Sequence, residues 1–169
     1  MNAKNASMVS VKVKPDAGDI FSYKMYHSFC SLQGVFRIAL SVLFLIVGFL
    51  TFGHVDLILS LSVLAFGILN PVVSPIMFLI QAKQSEATLK PITYTFFQDK
   101  IIANDGKKRI DLNWDQLALI VWRKKAMYIY TAPTQALILP RRAMNGKDND
   151  ILGMIHNSSN PNRTVYRKF

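Results

Sequence analysis

The chain has 169 residues, with twenty Lys and Arg against ten Asp and Glu and a formal net charge of +10. That length suffices for one domain, or for a membrane unit with one small domain. An excess of base would point to nucleic acid in a soluble chain, but beside a membrane span it is first explained by retention of positive charge on the cytoplasmic side, so no nucleic-acid partner is inferred. A single cysteine, Cys30, excludes an intrachain disulfide. Residues 1–30 lack an apolar run followed by a small-residue cleavage site, so the first span is expected to act as its own insertion signal.

Met8 to Lys14 alternates, with Val9, Val11 and Val13 on one face and Ser10, Lys12 and Lys14 on the other, which predicts a half-buried strand. Pro15 to Ser31 follows as an aromatic, amphipathic stretch carrying Tyr23, Tyr26 and Phe29, with Asp16 and Asp19 near its helical start. Such a stretch suits a headgroup interface. Residues 1–34 are therefore assigned to a cytoplasmic N-terminal strand and interfacial helix.

Residues 35–80 contain no Lys and one Arg, Arg37, whose long stem can snorkel to the headgroups. Two spans are expected here, about 35–53 and 57–80: the first has its uncharged run at 38–52, short for a bilayer but made workable by Arg37, and the second is 24 residues without a charge. Pro71 and Pro75 each remove a backbone donor, predicting a kink late in the second. The link between the runs is so short that they must be antiparallel. Five basic residues precede it, fifteen follow and none lies within it, which puts both termini in the cytoplasm. His54 and Asp56 lie at this turn and are read as solvated loop residues rather than a proton relay.

Gln81 to Leu89 reads as a helical exit that stops at Pro91, opening a β-rich domain over 81–157. Strands are predicted at 92–97, 101–103, 109–112, 117–123, 127–131 and 136–139, with turns at Gln98-Asp99-Lys100 and Asn104-Asp105-Gly106. Asp148 to His156 reads as a terminal helix with Ile151, Leu152 and Ile155 on one side. The tail, 158–169, is polar and expected to be disordered. The fold class is thus an α+β membrane protein. A transmembrane helical hairpin, inserted between the first and second strands, joins a small antiparallel sheet or partial barrel. That sheet has about seven strands and a C-terminal helix as cap, the outline of a pleckstrin-homology-like domain.

The Tyr94-Thr95-Phe96 strand, the Trp114-Asp115 pair, the tyrosines Tyr128 and Tyr130, and Leu139-Pro140-Arg141-Arg142-Ala143 occur in the order seen in the YcxB-like family of small bacterial membrane proteins. The chain resembles that family over roughly residues 9–155. The resemblance implies an architecture and leaves the biochemical role open.

No catalytic constellation is found: Cys-x-x-Cys, His-Glu-x-x-His, Gly-x-Ser-x-Gly and a phosphate-cradling glycine loop are all missing. The histidines His27, His54 and His156 lie in separate segments, and Asp111 and Asp115 suit turns or solvent. The expectation is therefore no enzyme, no metal and no cofactor. Three basic clusters are the candidate contact residues: Lys107, Lys108 and Arg109; Arg123, Lys124 and Lys125; Arg141 and Arg142. They are either solvated turns or a surface pressed on anionic headgroups. Trp122 and Tyr128, beside basic residues, are expected to offer a contact surface. The function this supports is a non-catalytic docking or scaffolding module at the bacterial inner membrane. Its partners would be the lipid bilayer and a protein or a second copy. The alternative is a small oligomeric transporter or channel subunit, with Asn70 as its polar lining.

Overall fold

The structure is a computed structural model that describes residues 8–117, 119–158 and 165–168. It divides into two compact units, Met1–Asp19 with Thr88–Phe169, and Ile20–Ala87.

In the first unit, β1 (Val9–Val13) buries all three valines and turns Ser10 and Lys12 outward. Its partner is β2 (Ile92–Phe96), antiparallel, with Val9 opposite Phe96 and Val13 opposite Ile92. The helical residues are therefore an insertion between the first and second strands, as the sequence implies. β3 (Lys100–Asn104) and β4 (Arg109–Asn113) extend this sheet in the order β1-β2-β3-β4. Val9, Phe96 and Ile101 form one inward cross-strand row; Val11, Tyr94 and Ala103 form the next. Burial pushes the Tyr94 hydroxyl up to about 12, so it stays neutral in the core.

The second sheet contains β5 (Leu119–Trp122), β6 (Ala126–Ala132), β7 (Gln135–Pro140) and β8 (Val165–Lys168), ordered β7-β6-β5-β8, with β8 parallel to β5. A short helix α4 (Arg141–Met144) precedes α5 (Asp148–Ser158). The turn between them uses left-handed backbone at Asn145 (φ 50°) and Gly146 (φ 79°), residue types that tolerate it. Ile120, Trp122, Met127, Ile129 and Leu139 of the second sheet meet Val11, Phe96 and Ile101 of the first in one core, joined by Ile151, Met154 and Ile155 of α5.

Two expectations are corrected. The seven antiparallel strands do not make one nearly closed sheet; they are split between two sheets. The break falls at a 3-10 turn, Trp114–Gln116, whose indole is buried and donates from Nε1 to the Phe97 carbonyl at 3.1 Å. Anchoring that indole ends β4 and redirects the chain before β5 begins. The tail was expected to be disordered, but Val165–Lys168 forms a strand on the β5 edge that β6 leaves open; the rest of the tail beyond Ser158 lies outside the described residues.

In the second unit, α1 (Ala17–Cys30) meets α2 (Leu32–Thr51) at Ser31, whose hydroxyl caps α2 by accepting from Gly34 N at 3.1 Å. Gly34 is required there because a Cβ would collide with the Ser28 backbone. α3 (Leu57–Thr88) joins the expected span and its helical exit in one helix that contains Pro71 and Pro75. The link between α2 and α3 turns at Gly53 (φ 83°), and Asp56 Oδ1 caps α3 by accepting from Ile58 N at 2.9 Å and Leu59 N at 3.2 Å. Asp56 is thus a cap.

Small residues hold α2 against α3. A Cβ on Gly48 would lie 2.6 Å from Leu64 Cγ, and one on Gly67 would lie 2.8 Å from Leu45 Cδ2, so each glycine receives a leucine of the facing helix. Ser60, fully buried, donates to the Thr51 carbonyl at 3.2 Å, and Asn70 Nδ2 donates to Ser41 Oγ at 3.4 Å. Gly48→Leu or Gly67→Leu should cost about 1–3 kcal/mol by overpacking, measured as a fall in melting temperature of the full chain in detergent. Gly153→Ala, where a Cβ meets nothing within 4 Å, should instead stabilise α5 by about 0.5–1 kcal/mol.

Candidate functional site

The three predicted basic clusters of the β unit fall into two groups, one on each sheet. Lys107, Lys108 and Arg109 follow the β3–β4 turn, which Gly106 allows by its φ of 86°. Asp105 shapes this turn by accepting from Lys107 N at 2.8 Å and Lys108 N at 2.6 Å. The N–H of Lys108, then that of Lys107, holds the Asp105 carboxyl below its ordinary value, and the charges of Lys90 and Lys108 add to this. Arg109 does not project free: its Nε donates to Asp111 Oδ1 at 3.0 Å, while Lys100 reaches Asp111 Oδ2 at 2.9 Å. The Asp111 carboxyl is lowered by Arg109 first and Lys100 second.

The other two clusters come together at one end of the second sheet. Arg123 N donates to Ala126 O across the β5–β6 turn at 2.9 Å, and Arg141 N donates to Lys125 O at 2.9 Å. Lys124 and Lys125 are exposed at the turn, as expected. The arginines are committed to the fold. Arg141 lies over the Trp122 ring at 5.4 Å and pairs with Asp148 at 2.7 Å, tying the start of α4 to the start of α5. Trp122 and Tyr128 do not form a contact surface. They are 6% and 2% exposed, because alternate residues of β5 and β6 bury both faces of this sheet, and Trp122 is a core residue beneath Arg141.

Arg142 makes the connection that sequence reading did not anticipate. Its guanidinium donates to both carboxylate oxygens of Asp19, with Nη1 to Oδ1 at 2.8 Å and Nη2 to Oδ2, and reaches Asp16 at 2.9 Å. Asp16 and Asp19 also cap each other's backbone reciprocally, at 2.9 and 2.8 Å. Asp19 is 8% exposed. A carboxylate that buried needs a partner, and the Arg fork supplies two hydrogen bonds at once. The spacing Asp-x-x-Asp before a helix was visible in the sequence; its arginine, 123 residues away, was not.

Among the described residues no three His, Cys, Asp or Glu side chains are grouped so as to hold a metal ion. What the surface offers is cation display and hydrogen-bond donors. Clefts occur beside charged residues. One, of about 360 Å³, involves Lys12, Lys90, Thr93, Asn104 and Asp105. Another, of about 210 Å³, is lined by His27, Ser28, Ser31, Gln33, Gly34 and Arg37 in the helical unit. Burial lowers the His27 imidazole, favouring its neutral form.

Arg142→Ala should destabilise the protein by about 2 kcal/mol, the scale of hydrogen bonds to a charged group, read by chemical denaturation. The Asp16 carboxyl is lowered below 3.8 by the Asp19 backbone N–H, with the Arg142 charge assisting. A depressed carboxyl contributes stability that is present above the unfolded value and is lost as pH falls through the folded one. Stability should therefore fall below about pH 4, and Arg142→Ala should flatten that fall.

No curated protein and no solved structure matches the chain. Residues 96–155, from the end of β2 into α5 and including the Leu139-Pro140-Arg141-Arg142-Ala143 segment, match the family model described as YcxB-like protein.

Proposed function

We propose that this protein is a non-catalytic, membrane-anchored docking module. In this reading α2 and α3 cross the bacterial inner membrane, and the β unit, of pleckstrin-homology-like outline, works on the cytoplasmic side. The observation that supports it is the exposure of the helical hairpin. Both helices are long and apolar enough to span a bilayer, yet only 17% and 6% of their apolar windows are buried. Phe49, Leu50, Ile58 and Phe66 are each 70% exposed or more. A core helix of a soluble protein buries such side chains, whereas lipid is the solvent that tolerates them. The arrangement of charge, with no basic residue in the link at 53–56, supports termini facing the cytoplasm.

A compact β unit held at a surface gains effective concentration for whatever it docks, with no new contact required. The exposed Lys124–Lys125 turn is one part of the predicted contact set available for a protein partner. The transporter reading has less support, since Asn70, the side chain on which a pore would rely, donates to Ser41 inside the hairpin.

Reporter fusions after Val55 and at the C-terminus should report opposite compartments, and the full chain should resist alkaline extraction from membranes. A cytoplasmic signal at Val55 would reverse the orientation, and release by alkali would overturn the anchor. For docking, purification in mild detergent should recover a partner that is lost with Lys124→Glu/Lys125→Glu; repeated recovery of none counts against it.

A further inference from the structure

The geometry points to a seat for anionic lipid headgroups on the outward face of the first sheet, an inference that rests on the membrane-anchored reading. Strand register sets one residue of each strand in a row there: Lys12 opposite Thr93, Thr93 opposite Asn104, and Asn104 opposite Arg109. This row lies at the end of the sheet where β1 leads out to the helices and β2 returns from them, because Val13 and Ile92 are its cross-strand neighbours. Lys90 and the 105–106 turn complete the 360 Å³ cleft over it, and Lys107 and Lys108 stand on the same turn.

Lys12, Lys90, Lys107 and Lys108 are all exposed. Among the described residues none of them makes an ion pair, whereas Arg109, Arg141 and Arg142 do. The carboxylates nearby are already engaged, Asp105 by two backbone N–H groups and Asp111 by Arg109 and Lys100. Asp105 offsets part of the charge of Lys90 and Lys108, and four lysines against this one carboxylate leave the row net positive. Thr93 and Asn104 add hydrogen-bonding groups between the cations, which suits phosphate oxygens.

Chain length sets the reach. Eight helical residues, 81–88, and two more separate Ile80 from Lys90, so Lys90 lies at most about 19 Å from the end of the apolar span. A headgroup layer is roughly 5–7 Å deep, and lysine side chains cover part of the remainder. Three strand spacings make the row about 14 Å wide, broader than one phosphate. That width favours a lipid surface over a single free anion. This assignment moves the headgroup contact away from Arg123–Lys125 and Arg141–Arg142.

The test uses the full chain in nanodiscs, either neutral phosphatidylcholine or the same lipid with one-third phosphatidylglycerol, and reads amide hydrogen exchange. Residues 105–109 and 12–14 should exchange at least about threefold more slowly in the anionic discs, and the difference should vanish at high salt. Lys12→Gln/Lys90→Gln/Lys107→Gln/Lys108→Gln should abolish it, with unchanged exchange in β6 reporting an intact fold, while Lys124→Gln/Lys125→Gln should leave it. Equal rates in both discs overturn the seat and leave the anchor standing. Protection produced in neutral discs by inorganic phosphate, or protection lost only in the Lys124/Lys125 variant, also overturns it. Failure of the chain to enter discs at all removes the anchor and the seat together.

Discussion

Everything else in this fold depends on β1 finding β2 across an insertion of 78 residues, from Val13 to Ile92, which are cross-strand neighbours. Loop-closure entropy for such a separation is unfavourable but grows only slowly with length, and an antiparallel helical hairpin shortens the problem. α2 and α3 run out and back, so the insertion returns its own ends to one place. The valines of β1 then contribute the burial that completes the closure: Val9, Val11 and Val13 are 9%, 4% and 0% exposed. A short segment of three valines thus determines whether the β unit has one core or an open edge at β2.

The same closure explains why charge counting overstates what this surface can do. Three basic clusters are equal on paper. In the fold, Arg141 and Arg142 spend their charge on Asp148, Asp16 and Asp19, and Arg109 on Asp111. Arginine suits these sites because its fork can satisfy a carboxylate from two directions. The lysines, compact and strongly hydrated, are left at turns and on the outward row. Lys100, paired with Asp111, is the exception to this division. That division distinguishes an electrostatic surface from a uniformly basic one.

Much of this was legible in the sequence because local signals carried it. The alternating valines gave β1, the uncharged runs gave α2 and α3, and Asp105-Gly106 gave the β3–β4 turn. Boundaries moved where a long-range contact decided them. The sheet divides at Trp114, whose partner, the Phe97 carbonyl, lies 17 residues earlier. Trp122 and Tyr128 were misread because alternation is uninformative where both faces of a strand are buried. The Lys12–Thr93–Asn104–Arg109 row could not be seen at all, since it exists only in the register of four strands.

The hairpin and the β unit solve opposite packing problems by opposite means. Between α2 and α3 the contact is made by removing side chains, with Gly48 and Gly67 each admitting a leucine, the packing that the proposed membrane anchor calls for, since helices in lipid gain little from burying apolar surface and must approach closely to gain dispersion and hydrogen bonds. Between the two sheets the contact is made by filling space with Phe96, Ile101, Met127, Ile129 and Leu139, because there the hydrophobic effect rewards volume. A glycine-to-leucine exchange is harmful in the first setting and a leucine-to-glycine exchange in the second. The polar hairpin contacts, Ser60 to Thr51 and Asn70 to Ser41, follow the same logic, since a polar group without a partner in a lipid phase costs more than it does at a wet surface. The two units thus differ in packing in the direction that the proposed anchor requires.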